Sequence, residues 1–153
     1  MPDFVRAAYR QKTLRVKNPG YIRPWIHVLD ALFGYLSLIE KLSFSPQNFS
    51  GSWNFGSSSE HPITVEDLIQ KLNSNWPSSI LIEKENLENH FEDDCLLLNT
   101  EKTRKQLGFD CSWNIDFTVE KVIEWYREFF EGADAKELCI RQIKSYLHLN
   151  CID

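Results

Sequence analysis

The chain has 153 residues, of which 42% are hydrophobic, 13% aromatic and 25% charged. That is one domain's length, apolar enough to bury a core and too ordinary in composition for a disordered or fibrous chain. The net charge is −5, and the basic excess is confined to residues 1–28, which argues against nucleic-acid binding. No apolar run approaches the roughly 18 residues of a membrane span. The opening MPDFVRAAYRQK has no apolar stretch of the kind a secretory leader needs. The four cysteines, Cys95, Cys111, Cys139 and Cys151, show neither CxxC nor Cys/His ligand spacing. They read as separate thiols in a reducing, cytoplasmic setting, with no disulfide frame or metal site expected.

Pro2 to Gln11 reads as a short helix with Phe4, Val5, Ala8 and Tyr9 on its apolar face. Leu14 to Val16 alternates like a strand, and Asn18-Pro19-Gly20 turns it. Ile22 to Trp25 is extended, because Pro24 keeps Arg23 out of the helical region. His27 to Leu42 is strongly helical and apolar around most of its circumference, which predicts burial on several sides. Gly34 in its middle predicts the close approach of another backbone. Residues 44–51 read as a polar connector and Ser52 to Phe55 as a short strand.

Thr64-x-x-Asp67 resembles a capping box, followed by the helical stripe Val65, Leu68, Ile69 and Leu72. Ile80 to Ile82 reads as a strand, residues 83–94 as an acidic loop, and Cys95 to Leu98 as another extended piece. Thr100 to Leu107 reads as a helix closed by Gly108. Asp116 or Thr118 is the expected cap of a helix running to Phe130, with Gly132 as its stop. A last helix, from about Asp134 to Leu149, should bury Leu138, Cys139, Ile143, Tyr146 and Leu147. The order is mixed, α/β or α+β. Its strands are few, and the helix at 27–42 is more apolar than the rest of the chain can cover. Both features point to a missing partner surface.

The six glycines are isolated, so neither GxGxxG nor GxxxxGK[ST] occurs. GxSxG, HExxH and Tyr-x-x-x-Lys are absent too. The four histidines show no metal spacing, and the carboxylates Glu92, Asp93 and Asp94 read as solvated.

One segment is far more specific. Residues 15–30, RVKNPGYIRPWIHVLD, are followed by Gly34-Tyr35-Leu36 and Trp53-Asn54-Phe55-Gly56. Later come Val122 to Arg127, Phe130 to Asp134 and Gln142-Ile143. In this order the motifs resemble the CDP-glucose 4,6-dehydratases, a family of the extended short-chain dehydrogenase/reductases, over nearly the whole chain.

The resemblance implies an α/β fold in which residues 1–153 form the C-terminal, sugar-nucleotide-binding portion. Most of the Rossmann sheet is then outside the chain, and residues 27–56 are the helix and strand that pack on it. By the match, Met1 falls just before a helix in the middle of a complete family protein. The NAD loop, the Tyr-x-x-x-Lys pair and the acidic groups for dehydration precede that point. The implied reaction removes water from CDP-glucose to give CDP-4-dehydro-6-deoxyglucose. The chain alone would then bind no cofactor and be inactive, and NAD would belong to the complete enzyme.

Arg23 matches the family's arginine for the substrate diphosphate, a role that suits a guanidinium. Arg15 and Asn18 are further candidates for the CDP-sugar. His90 and Glu92 fall where the family has a His-Glu pair near the nucleotide, though here Phe91 intervenes. Ile26 departs from the family's usual glutamine. His27 is expected to orient the loop, and Asn54 to tie a strand end to a loop. Two alternatives stay open. The chain can be one subunit of a split dehydratase or epimerase, completed by a separate N-terminal Rossmann polypeptide. It can also be a non-enzymatic nucleotide- or protein-binding module.

Overall fold

The computed structural model describes residues 1–57, 62–86 and 93–150. The elements in chain order are α1 (Pro2–Tyr9), β1 (Leu14–Lys17), α2 (Val28–Phe44), α3 (Pro46–Phe49), α4 (Val65–Asn75), β2 (Ile82–Glu85), α5 (Glu101–Leu107), α6 (Ile115–Phe130) and α7 (Ala135–Asn150). Among the described residues the only sheet is the parallel pair β1–β2. A parallel pair needs a crossover, and α4 lies in the connection that provides it.

The main core lies where α1, β1, α4 and α6 meet. Phe4, Val5 and Ala8 pack with Leu14, Val16, Leu68, Ile69, Leu72, Val119 and Ile123. Trp76 closes it edge-on to Phe4. The helical stripe behaves as its spacing predicts in α4, and in α1 for Phe4, Val5 and Ala8, while Tyr9 stays 56% exposed and stacks on Phe130. The capping box of α4 forms on both sides: Thr64 Oγ1 accepts from the Asp67 amide, and the Asp67 carboxylate accepts from the Thr64 amide.

Four expectations need correction. The strand expected at 80–82 begins at Ile82. Asn73 explains the delay: its amide side chain takes both the N–H and the C=O of Ile80, at 2.9 and 3.1 Å. The strand then runs into the acidic stretch, where Glu83 stands opposite Arg15 and Glu85 opposite Lys17. Residues 52–55 form no ladder, because side chains from around α5 take their polar groups. The Asn54 carbonyl accepts from Thr103 Oγ1, the Ser52 carbonyl accepts from Lys102 Nζ, and Asn54 Nδ2 donates to the Asn99 carbonyl. The stretch 44–51 contains the short α3. Helix α6 starts earlier than expected, capped by Asn114, whose side chain accepts from the Phe117 amide. Thr118 is already inside the helix, and Asp116 pairs instead with Lys71.

Helices α7 and α2 also differ from expectation. In α7, Leu138 and Tyr146 are buried, but Cys139, Ile143 and Leu147 are exposed. In α2 only Asp30 and Gly34 are buried. Val28, Leu32, Tyr35, Leu36 and Ile39 are 49–63% exposed. Burial on several sides therefore does not occur within this chain, because too little of it packs on α2.

What does pack there is aromatic. A methyl built on Gly34 would lie 2.7 Å from Phe55 Cε1, closer still to Cδ1, and 3.2 Å from Phe109 Cζ. The close neighbour is thus a side chain and not a backbone. Phe55 is itself wedged edge-on between Tyr35 and Phe109, with ring centroids 5.2 and 5.5 Å away. In Gly34→Ala the helix gains about 1 kcal/mol in propensity, while overpacking costs about 1–3 kcal/mol. A net loss of about 1 kcal/mol in urea unfolding is expected. A stabilised variant would show that the Phe55 ring yields.

Candidate functional site

Arg23 is placed by backbone. After β1, Asn18 adopts a left-handed conformation at φ 46° and is buried. Its N–H extends the ladder to the Glu85 carbonyl, and its C=O accepts from Tyr21. The carbonyls of Pro19 and Tyr21 accept from Glu66 and Val65, two of the amides that the start of α4 leaves unpaired. Ile22 bridges Thr64 on one side and Cys95 on the other, donating to Asp94 and accepting from Leu96.

The next residue, Arg23, emerges from this clamp, its backbone restricted by Pro24. Its Nη1 donates to the Ile22 carbonyl at 2.8 Å and the Asp93 carbonyl at 3.1 Å, and its guanidinium stands 5.0 Å from the Tyr21 ring centroid. Arg23 lines a cleft of about 430 Å³ together with Trp25, Ile63, Leu97 and the loop from Asp110 to Asn114. That volume is within the usual range of small-molecule sites, and the lining joins aromatic and apolar surface to a few polar groups.

Of the other candidates, Arg15 lies on β1, exposed, with Nε donating to Glu83 at 3.0 Å. Neither it nor Asn18, which sits in the turn, lines the Arg23 cleft. His90 and Glu92 lie outside the described residues. The sequence reading missed the cleft wall at 110–114. Its signal was a tryptophan in an aperiodic stretch between a glycine-stopped helix and an asparagine-capped one. Asp30 was missed because it sits within an apolar helix and reads there as a first-turn acid. Asn54 does tie its segment to a neighbouring loop, through Asn99.

Behind the cleft, burial shifts three titratable groups from their ordinary values. His27 is buried and caps α2, its Nδ1 accepting from the Leu29 amide at 3.2 Å. Burial pushes its imidazole down from 6.5 to about 4. Burial likewise raises the Asp30 carboxyl, against hydrogen bonds from Tyr146 and from the Ser112 and Trp113 amides. Burial, with Asp30 and Asp110 nearby, pushes the Cys111 thiol up to about 12, so it is a poor nucleophile. Among the described residues no three His, Cys, Asp or Glu side chains form a metal-binding group, and no helix is long and apolar enough to cross a membrane.

The unfolded chain protonates His27 near 6.5 and the folded chain only near 4, so stability falls as pH drops through that window. Asp30 acts oppositely, its contribution being kept at low pH and lost as pH rises through its raised value. The substitution His27→Asn keeps a capping acceptor without the titration. Urea unfolding at pH 7 and 4.5 should show a smaller acid loss in the variant than in the wild type. Equal losses would show that His27 accepts its proton in the fold.

No family model matches the chain. In sequence it is 32% identical over 149 residues to the CDP-glucose 4,6-dehydratase of Salmonella typhimurium, covering 96% of this chain and 41% of that protein. It therefore spans about two fifths of that relative's length. Solved structures share its fold. A UDP-glucose-4-epimerase from Stenotrophomonas maltophila with bound NAD and formylated UDP-arabinopyranose superposes with a TM-score of 0.70 at 16% identity, over 86% of this chain and 40% of that one. The dTDP-glucose 4,6-dehydratase of Bacillus anthracis in complex with NAD gives 0.66 at 18%, over 90% and 41%.

The architecture is thus that of a part of the extended short-chain dehydrogenase/reductases, the class of nucleotide-sugar epimerases and dehydratases. Within that class its sequence match, over 96% of the chain, is to a CDP-glucose 4,6-dehydratase.

Those two structures hold NAD. The described residues do not fit it. A dinucleotide site sets a glycine-rich turn between a strand and a helix N-terminus. Here β1 leads into the Asn18 turn and an extended segment, and the left-handed glycines Gly51, Gly108 and Gly132 each follow a helix.

Proposed function

We propose that this chain is the sugar-nucleotide-binding portion of a cytoplasmic CDP-glucose 4,6-dehydratase, inactive alone. NAD and the residues that oxidise and dehydrate the sugar are supplied by polypeptide outside it. The observation that carries the reading is Arg23, anchored through Nη1 to two backbone carbonyls and lining a cleft walled by Trp25 and Trp113. A guanidinium so fixed suits the diphosphate of CDP-glucose. The indole walls offer apolar surface to the base or sugar. Arg15 and Asn18 remain secondary candidates, as do His90 and Glu92. Calorimetry with CDP, CDP-glucose and dTDP-glucose tests the reading. CDP-glucose should bind, and Arg23→Leu should weaken it about tenfold or more, on the order of 1.4 kcal/mol or above. Equal binding by both forms, or no heat with any nucleotide, would overturn it.

A second observation favours assembly with a separate NAD-binding polypeptide. The stripe Val28, Leu32, Leu36 and Ile39 is exposed on α2, and an apolar face of that kind marks an interaction surface. The chain purified from its source cells should run as a complex, and Leu36→Glu should dissolve the complex while leaving the melting curve of the chain unchanged. A native mass of 18.0 kDa for the wild type counts against this arrangement.

A further inference from the structure

Asp30 lies in the first turn of α2 with no solvent exposure at all. Burying a carboxylate is costly unless hydrogen bonds compensate it, and the compensation here comes from two distant parts of the chain. Asp30 Oδ1 accepts from the Tyr146 phenol of α7 at 2.8 Å and from the Ser112 amide at 2.8 Å. Tyr146 Oη also lies 3.4 Å from Ser112 Oγ. The partners are 82 and 116 residues from Asp30 in sequence, so nothing local sets the arrangement.

The cluster lies directly behind the cleft. Ser112 belongs to the wall of that cleft, with Asp110, Cys111, Trp113 and Asn114 on either side of it. The Trp113 ring packs against Tyr146 at 5.2 Å and His27 at 4.5 Å between centroids. The wall has little regular structure of its own: it falls between the end of α5 and the start of α6. From outside it, hydrogen bonds reach Ser112 from one carboxylate on α2 and one phenol on α7. Hydrogen bonds to an ionised acceptor are the shorter and stronger kind, and the Ser112 N–H is fixed in direction by the backbone that carries it.

We infer that Asp30 and Tyr146 are positioning residues of the cleft: the phenol on α7 orients the carboxylate, and the carboxylate holds the Ser112 amide and with it the 110–114 wall of the cleft that Arg23 also lines. The inference deepens the sugar-nucleotide reading and rests on it for the identity of the ligand. It makes the last helix, which does not line that cleft, a determinant of its shape.

Hydrogen–deuterium exchange on the intact chain separates this from a general loss of stability. Tyr146→Phe keeps the ring and removes only the hydroxyl. Amides of 110–114 should exchange at least fivefold faster in it, with β1, β2 and α4 unchanged, and the Kd for CDP should rise three- to tenfold. Asp30→Asn keeps one carbonyl acceptor but removes the charge and turns the other oxygen into a donor, so its exchange at 110–114 and its CDP affinity should fall between wild type and Tyr146→Phe. Asp30→Ala should match Tyr146→Phe. Unchanged exchange at 110–114, an equal rise everywhere, or faster exchange with unaltered CDP affinity would each overturn the inference. Should the wild-type chain bind no CDP, the nucleotide reading falls and the exchange pattern alone decides whether the wall is held this way.

Discussion

The backbone of Ile22 is the point through which the structure is stitched. It is bridged to Thr64 on one side and to Cys95 on the other. The carbonyls just before it cover the first amides of α4, and the residue just after it is Arg23. Three segments far apart in sequence are thereby fixed at one place. Each of these groups would otherwise need water or another partner. The clamp is made of main chain, so its geometry is insensitive to which side chain sits at position 22. The arginine that follows takes its location from that geometry and from Pro24.

Helix α2 shows the opposite economy. It is the most apolar helix of the chain, yet it gives little to the main core. Its contacts run through aromatic rings: Phe55 and Phe109 over Gly34, and Phe33 beside Phe109 and Tyr146. Its polar contacts lie at one end, with His27 capping and Asp30 buried. Single exposed apolar residues are ordinary, but a row of them along one helix is not. The chain matches two fifths of a longer relative, and this row of apolar side chains stands uncovered among the described residues.

Much of this was legible beforehand, for identifiable reasons. The stripe of α4, most of that of α1, the capping box and the stop at Gly108 depend on neighbours within a few residues, and they came out as read; only Tyr9 of the α1 face stays exposed. Arg23 could be singled out because Pro24 and the Asn18 turn are local too, and because the surrounding motif is specific. What escaped reading depended on distant partners. Asn73 delays β2 by taking the peptide groups of Ile80. Thr103 and Lys102 take the carbonyls that would have made a strand of 52–55. Asn114 outcompetes Asp116 and Thr118 as a cap, a choice among three good capping residues that propensity does not rank. The cleft wall and Asp30 were invisible for the same reason: their partners lie 82 and 116 positions away.

The register of the two strands has one more consequence. Arg15 faces Glu83 and Lys17 faces Glu85, while Val16, buried, faces Lys84. Sliding either strand by a single residue would turn its side chains to the opposite surface. Either slip would also set like charges side by side, Lys17 against Lys84 in one direction and Arg15 against Lys84 in the other, which is unfavourable. This small ribbon carries its own alignment key, written in alternating sign, so four residues on each strand suffice to admit one mating and reject its neighbour.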